Sequence, residues 1–339
     1  MNSSQSNLGT SLQAGGVAFR SVHSVDAAQH SCAMTGWEHV YEPVGLEPFR
    51  GQLTELLLGP IQITVEQIDT PMRYSGAMLR GHILFSSVLP TEGTTVFCRG
   101  RPLAANTVVK FPRDYPHTAY TNGPIKFMTV VVEEDALADF IEHRTAGAIQ
   151  REDVSQRHCV VDNELVGCFQ ETVLTILESV ASGRAEVVEE CWRARTRHAV
   201  LELLLEILQA AIEAPRQLPP ASTRAYIVEK AISYMQGHLN DPVLMESVAD
   251  VVKVSSRTLR YSFEEVLGTS PHGFLSALRL NRIRRELCTS ANAQSIQRIA
   301  HEYGFWHLGR FAQYYRDAFG ELPSDTCRRF AGPASAASG

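Results

Sequence analysis

Through the first half of the chain, apolar and polar residues alternate with a period of two. Residues 52–58 alternate, and after the Gly59-Pro60 turn the run Ile61-Gln62-Ile63-Thr64-Val65 alternates again. Runs of the same kind follow at 81–89, 94–98, 107–111 and 127–132. Between them stand turn formers such as Pro90-Thr91-Glu92-Gly93 and Thr121-Asn122-Gly123-Pro124. Successive side chains of a strand point to opposite faces, so this pattern predicts short strands with one buried face each. Their regular spacing predicts a small barrel or sandwich.

Past Glu133 the period becomes that of a helix. Leu165, Phe169, Val173, Ile176 and Leu177 repeat at helical spacing. So do Val200, Leu201, Leu204, Leu205 and Leu208 in a second segment that begins near Ala185, with Glu202 and Glu206 outside the stripe. Such a stripe suits burial within one subunit and contact between two subunits equally. Pro215, Pro219 and Pro220 then interrupt the pattern, which places a stiff domain boundary at residues 214–222.

Beyond that boundary the chain repeats itself. Residues 247–271 read SVADVVKVSSRTLRYSFEEVLGTSP, and residues 298–323 read RIAHEYGFWHLGRFAQYYRDAFGELP. Val248-Ala249 matches Ile299-Ala300 and Val254 matches Phe305, at an offset of 51; Leu259, Phe263, Leu267, Gly268 and Pro271 then match Phe311, Tyr315, Phe319, Gly320 and Pro323 at 52. One extra residue has therefore entered the turn of the second copy. Each copy has a first helix with a small residue at the crossing point, a short turn, and a second helix anchored by i, i+4, i+8 apolar residues. Ser255 or Ser256 suits the N-cap in the first copy, and Gly268 and Gly320 suit the helix ends. Pro271–Thr289, between the copies, reads as one amphipathic helix of roughly 27 Å. That length can hold two groove-reading helices about one duplex turn, roughly 34 Å, apart.

The outer faces follow by exclusion. Arg257, Thr258, Arg260, Tyr261 and Glu264 face out in the first copy; His307, Arg310, Gln313, Tyr314, Arg316 and Asp317 do so in the second. Arg can fork onto guanine and Gln onto adenine in the major groove. Arg279, Arg282, Arg284 and Arg285 decorate the connecting helix, with Arg282, Arg284 and Arg285 the expected phosphate contacts.

Charge refines this picture. The chain carries 31 Lys+Arg and 37 Asp+Glu; residues 226–330 hold 13 and 11 of them, a net of +2, which leaves 18 and 26, a net of −8, for the rest. A basic working end is thus joined to an acidic partner domain. The seven cysteines (Cys32, Cys98, Cys159, Cys168, Cys191, Cys288, Cys327) include no CxxC pair and read as reduced thiols of a cytoplasmic protein. No run approaches the roughly 20 apolar residues of a membrane span. Nucleotide loops, GxSxG, HExxH and HxH are all missing, so no enzyme, metal or cofactor is expected. His82 and His117 alone do not make a metal-binding barrel enzyme, the rival reading from another class.

Two helix-turn-helix units joined by a long helix and ending in GFWHLGRFAQYYRDAFGELPS resemble the AraC/XylS family of bacterial transcription regulators, over about residues 226–329. Within it, RLNRIRREL followed by YGFWHLGRFAQYY looks most similar to the branch of the ethanolamine-operon regulator. The resemblance implies activation at a promoter through double-stranded DNA and RNA polymerase. It also implies a homodimer and a small-molecule effector held by the N-terminal domain, with ethanolamine and adenosylcobalamin as candidates. Asp114-Tyr115-Pro116-His117 does not fit the cobalt-ligating DxHxxG of corrinoid enzymes. An N-terminal domain that only dimerises or binds a protein partner is the alternative.

The expected architecture is α+β. It has a disordered arm (1–30), a β-rich, barrel- or cupin-like effector-sensing domain with a helical dimerisation segment (31–213), a linker (214–222), an all-α double helix-turn-helix domain (223–330) and a disordered tail (331–339).

Overall fold

The computed structural model describes residues 8–14, 17–77, 80–89, 91–98, 100–104, 107–111, 117–156, 159–161, 164–183, 189–213, 220, 222–289 and 295–330. The chain opens with β1 (Leu8–Ala14), β2 (Val17–Ser24), α1 (Ala27–Ser31), β3 (Glu38–Pro43), β4 (Gly51–Leu58), β5 (Ile61–Ile68), β6 (Met72–Ala77) and β7 (His82–Val88). After these come β8 (Val96–Cys98), β9 (Arg101–Leu103), β10 (Val108–Phe111), β11 (His117–Thr121) and β12 (Ile125–Glu133). Helices α2 (Glu134–Thr145) and α3 (Arg151–Gln156), strand β13 (Cys159–Val161), and helices α4 (Glu164–Ala181) and α5 (Glu190–Glu213) complete the N-terminal unit.

The strands form two antiparallel sheets, in the orders β1-β2-β4-β5-β12-β7-β10-β13 and β3-β6-β11-β8-β9. Among the described residues neither closes on itself, so where a barrel or sandwich is expected the chain forms two open sheets packed on each other. Leu53, Leu84, Val109 and Val131 of the larger sheet meet Cys98 and Ala119 of the smaller one in a shared core. The opposite face of the larger sheet is covered by α2, α4 and α5. There Val200, Leu204, Leu205 and Leu208 are buried inside the subunit, which decides the use of that apolar stripe.

The disordered arm expected over 1–30 is corrected at 8–14 and 17–30, where the chain forms β1, β2 and α1; residues 1–7 and 15–16 lie outside the described residues. β2 pairs with β4 residue for residue from Val17↔Leu58 to Ser24↔Gly51, and Val17 and Phe19 enter the core. A polar network ties the following segment down: Arg20 Nε donates to Glu55 Oε2 at 2.6 Å, and Trp37 Nε1 to Gln62 Oε1 at 2.8 Å. Strand order comes here from a partner 27 to 41 residues away (Ser24↔Gly51 to Val17↔Leu58), which local polarity does not reveal. Residues 214–219 and 221 of the expected linker, and the expected tail, lie outside the described residues.

The second unit is helical: α6 (Thr223–Gly237), α7 (Met245–Val251), α8 (Ser256–Leu267), α9 (Pro271–Thr289), α10 (Ser295–Glu302), α11 (Leu308–Phe319) and α12 (Pro323–Phe330). One core joins α6, α7, α8 and the first half of α9; a second joins the rest of α9 to α10, α11 and α12. The single helix α9 thus takes part in both cores and couples them rigidly. The two units also touch. Val44, Phe97 and Tyr120 of the β unit enter the core around α6 and α8, and the Asn122 side-chain amide donates to Glu265 O at 3.2 Å.

Candidate nucleic-acid interface

The same backbone bond turns the corner in both helix-turn-helix units. The Val254 N–H donates to Ala249 O at 3.0 Å, and the Phe305 N–H donates to Ala300 O at 2.9 Å. The residue before each donor has positive φ: Lys253 at 58° and Gly304 at 80°. Glycine adopts this region without a Cβ clash, whereas lysine holds it under strain. Ser255 then caps α8, its hydroxyl accepting from the Thr258 N–H at 3.1 Å. His307 takes the corresponding place before α11 and makes no side-chain cap bond. Trp306 is therefore the residue by which the second corner is longer. It is 70% exposed and rests against His301, ring centroids 5.3 Å apart.

Both second helices are anchored as the repeat requires. Leu259, Phe263 and Leu267 of α8 and Phe311 and Tyr315 of α11 are buried, Phe319 partly so. Gly268 at φ 67° and Gly320 at φ 70° end the two helices.

On the opposite face, Arg257, Thr258, Arg260 and Tyr261 are exposed on α8, as are His307, Arg310 and Gln313 at the start and middle of α11. Several are held in position by helical neighbours. Arg257 lies over the Tyr261 ring at 5.3 Å, Arg260 Nε donates to Glu264 Oε1 at 2.7 Å, and Gln313 Nε2 to Asp317 Oδ1 at 2.7 Å. Exposed i,i+4 pairs of this kind are weak and screened by solvent, so the side chains can exchange them for a ligand. Tyr314 is half-buried against the second core instead of standing fully outward.

The arginines of α9 divide. Arg284 is a correction: it is buried, with Nη2 2.5 Å from Asp26 Oδ2 and Nη1 3.0 Å from Glu321 Oε1, and a phosphate cannot reach it without breaking these pairs. It is covered by Asp26 at the start of α1 and by Phe319 and Glu321 at and just past the end of α11, contacts between distant segments that helical spacing does not announce. Arg279 likewise turns inward, donating to Leu239 O at 3.0 Å and Asp241 O at 2.6 Å, and burial lowers its pKa. Arg285 lies 3.7 Å from Glu42 of the β unit with its side chain 42% exposed. Arg282, 3.7 Å from Glu286, is 54% exposed and faces solvent. Among the described residues no three His, Cys, Asp or Glu converge on a metal site, and no helix is long and apolar enough to cross a membrane. Residues 114–116, considered for cobalt ligation, lie outside the described residues.

Residues 248–329 match the family described as helix-turn-helix domain. This stretch is a helix-turn-helix domain. Over 102 residues the chain is 43% identical to the XylDLEGF operon transcriptional activator of Pseudomonas putida, covering 30% of this chain and 32% of that protein. Over 130 residues it is 30% identical to the HTH-type transcriptional activator RhaS of Pectobacterium carotovorum, covering 38% and 44%. A solved transcriptional regulator with an AraC-type DNA-binding domain, from Chromobacterium violaceum, is 30% identical over 32% of this chain and 96% of its own, with a TM-score of 0.30. The chain spans less than half the length of these two curated relatives.

Proposed function

We propose that the chain is a sequence-specific transcription activator of the AraC/XylS type. It acts in the cytoplasm on a catabolic or virulence-type operon near its own site, as a homodimer on double-stranded DNA in contact with RNA polymerase. A small-molecule effector bound through the N-terminal unit sets its activity. It is a regulator and not an enzyme.

The observation that carries this reading is the repeat built in three dimensions. Two helices with apolar inner faces and Arg- and Gln-bearing outer faces are yoked by the nineteen residues of α9. One exposed basic helix is a common solvated surface; two at fixed spacing match two successive major grooves. The relatives that share this part of the chain are named as transcriptional activators, which supports the same role here. Because the α5 stripe is buried, the homodimer uses another surface of the N-terminal unit.

Arg257, Thr258, Arg260, Tyr261, His307, Arg310, Gln313 and Tyr314 are the proposed DNA-facing residues, with Arg282 and Arg285 as phosphate contacts. Chromatin immunoprecipitation with sequencing tests the role directly. Recovery of discrete promoter-proximal sites supports it, and uniform recovery across the chromosome contradicts it. Ethanolamine, implied by the likeness in α9 and α11, is the first effector to titrate, alone and with adenosylcobalamin.

A further inference from the structure

Of the three tryptophans, Trp37 is buried and Trp192 packs against the core of the β unit, whereas Trp306 is 70% exposed. It is not loose: its ring rests on His301 of α10, with centroids 5.3 Å apart and planes 31° apart. An indole braced in this way and left in water presents an apolar face to a partner.

Its place in the repeat says which partner. Trp306 is the residue that the second corner has and the first lacks, and it immediately precedes His307, the N-cap of α11. Leu308, which opens α11, is exposed as well, at 37%. In the first copy the corresponding positions are Ser255 and Ser256, the former being the cap of α8. The leading edge of α8 is therefore polar and runs on into Arg257 and Arg260, whereas that of α11 is apolar on both sides of His307. Residues at the N-terminus of a recognition helix are the ones that meet base edges. In the major groove those edges carry one apolar group, the C5 methyl of thymine. A protein partner matches less well, because the apolar patch ends with these two side chains. Gln297, Arg298, His301 and Glu302 border the hollow beside the indole, and Arg298 is held by Glu302 at 2.7 Å. The buried centre of a protein interface is instead a contiguous apolar area depleted of charge.

We propose that Trp306 and Leu308 read thymine methyl groups in the second element of the DNA site. The inference rests on the reading of the chain as a sequence-specific DNA binder and adds the base chemistry of one half-element. The first element is read through hydrogen-bonding side chains, and the second through an apolar edge followed by Arg310 and Gln313.

The test uses the full chain and the duplex that it selects from a random library. Each thymine of either element is replaced in turn by deoxyuridine, which removes the methyl and keeps every base-pair hydrogen bond, and affinity is read by fluorescence anisotropy. At one or two positions of the second element the replacement should weaken wild-type binding about fourfold, the effect of one methyl-sized apolar group leaving contact. Trp306→Ala should bind the thymine and uracil duplexes equally at one such position, Trp306→Phe should keep most of the difference, and Leu308→Ala should diminish it. Arg257→Ala, which acts in the first element, should weaken binding and leave the difference in the second element intact. A second element without thymine, or equal binding of thymine and uracil at all its positions, overturns the proposal. A full difference retained by Trp306→Ala overturns it as well, and lost promoter activation in that variant would then assign the indole to a protein contact. Loss of the difference in Arg257→Ala also counts against it. Failure to select any site removes this inference together with the DNA reading, whereas a selected two-element site without methyl dependence removes this inference alone.

Discussion

Asp26 Oδ2 and Arg284 Nη2 lie 2.5 Å apart although 258 positions separate the residues in the chain (284 − 26), and they join the start of α1 to the middle of α9. The same aspartate caps α1, its Oδ1 accepting from the Gln29 N–H at 2.9 Å. One side chain thus starts a helix in one unit and neutralises a buried cation in the other.

Asp26→Ala removes both interactions. Arg284 then keeps only Glu321; losing one of two buried partners costs on the order of 1–3 kcal/mol, and losing a cap costs about 1 kcal/mol more. Asp26→Asn keeps the cap and loses only the charge, so urea unfolding should place it between the wild type and Asp26→Ala. Identical midpoints for all three proteins would show that the pair does not hold the units together.

Gly268 and Gly320 occupy equivalent helix ends with nearly equal φ, but their surroundings differ. A Cβ on Gly320 meets open space, whereas one on Gly268 comes within 2.7 Å of the Asn122 carbonyl oxygen of the β unit. Gly320→Ala should therefore cost about 1 kcal/mol, the ordinary penalty of a left-handed alanine. Gly268→Ala should cost about twice that or more, because the β unit must shift as well. Hydrogen exchange at Asn122 should rise only in the second variant.

How much of this was legible in the sequence follows from where each interaction originates. Lengths and inner faces of α8, α9 and α11 follow from local spacing, since their anchors stand four residues apart on one helix. The extra residue of the second corner was also countable, although only the fold shows that it is the exposed Trp306. Strands β2, β3, β6 and β11 were not read, because their order comes from distant partners and their runs are short or interrupted by polar residues. Arg284 shows the limit most plainly. Arg285 stands beside it in the sequence, and only the approach of Asp26, Phe319 and Glu321 buries one and leaves the other half open. The strained turn at Lys253 is equally silent in sequence, where its counterpart Gly304 is the expected residue.

Tyr315 donates or accepts a 2.8 Å hydrogen bond with Thr326 Oγ1, and burial pushes its pKa up to about 12. In the unfolded chain the phenol ionises near 10. Between about pH 10 and 12 the unfolded state therefore binds fewer protons than the folded one, so stability contributed by this group is present below pH 10 and is lost as pH rises. Tyr315→Phe should lower stability at pH 7 by about 1 kcal/mol through the lost hydrogen bond. It should also make the alkaline decline shallower, other buried groups whose pKa values are raised, Tyr41, Tyr74, Tyr120 and Tyr303 among them, supplying part of the remainder. An unchanged slope from pH 9 to 11.5 would contradict this share.

Arg310 and Arg282 should separate base reading from phosphate binding. Arg310→Ala is expected to cost about 1–3 kcal/mol on the preferred site and to relax base preference at one position. Arg282→Ala should weaken binding similarly across sequences and reduce the slope of log affinity against log salt by about 1. Fluorescence anisotropy on specific and scrambled duplexes at several salt concentrations reads both effects.

Selection from a random duplex library with the full-length chain tests the yoked pair of recognition helices most directly. The predicted outcome is one enriched site with two short conserved elements whose centres lie about 10–10.5 base pairs apart, on one face of the duplex. A pool that remains random after repeated rounds, or a single element with no second one at that spacing, would contradict it.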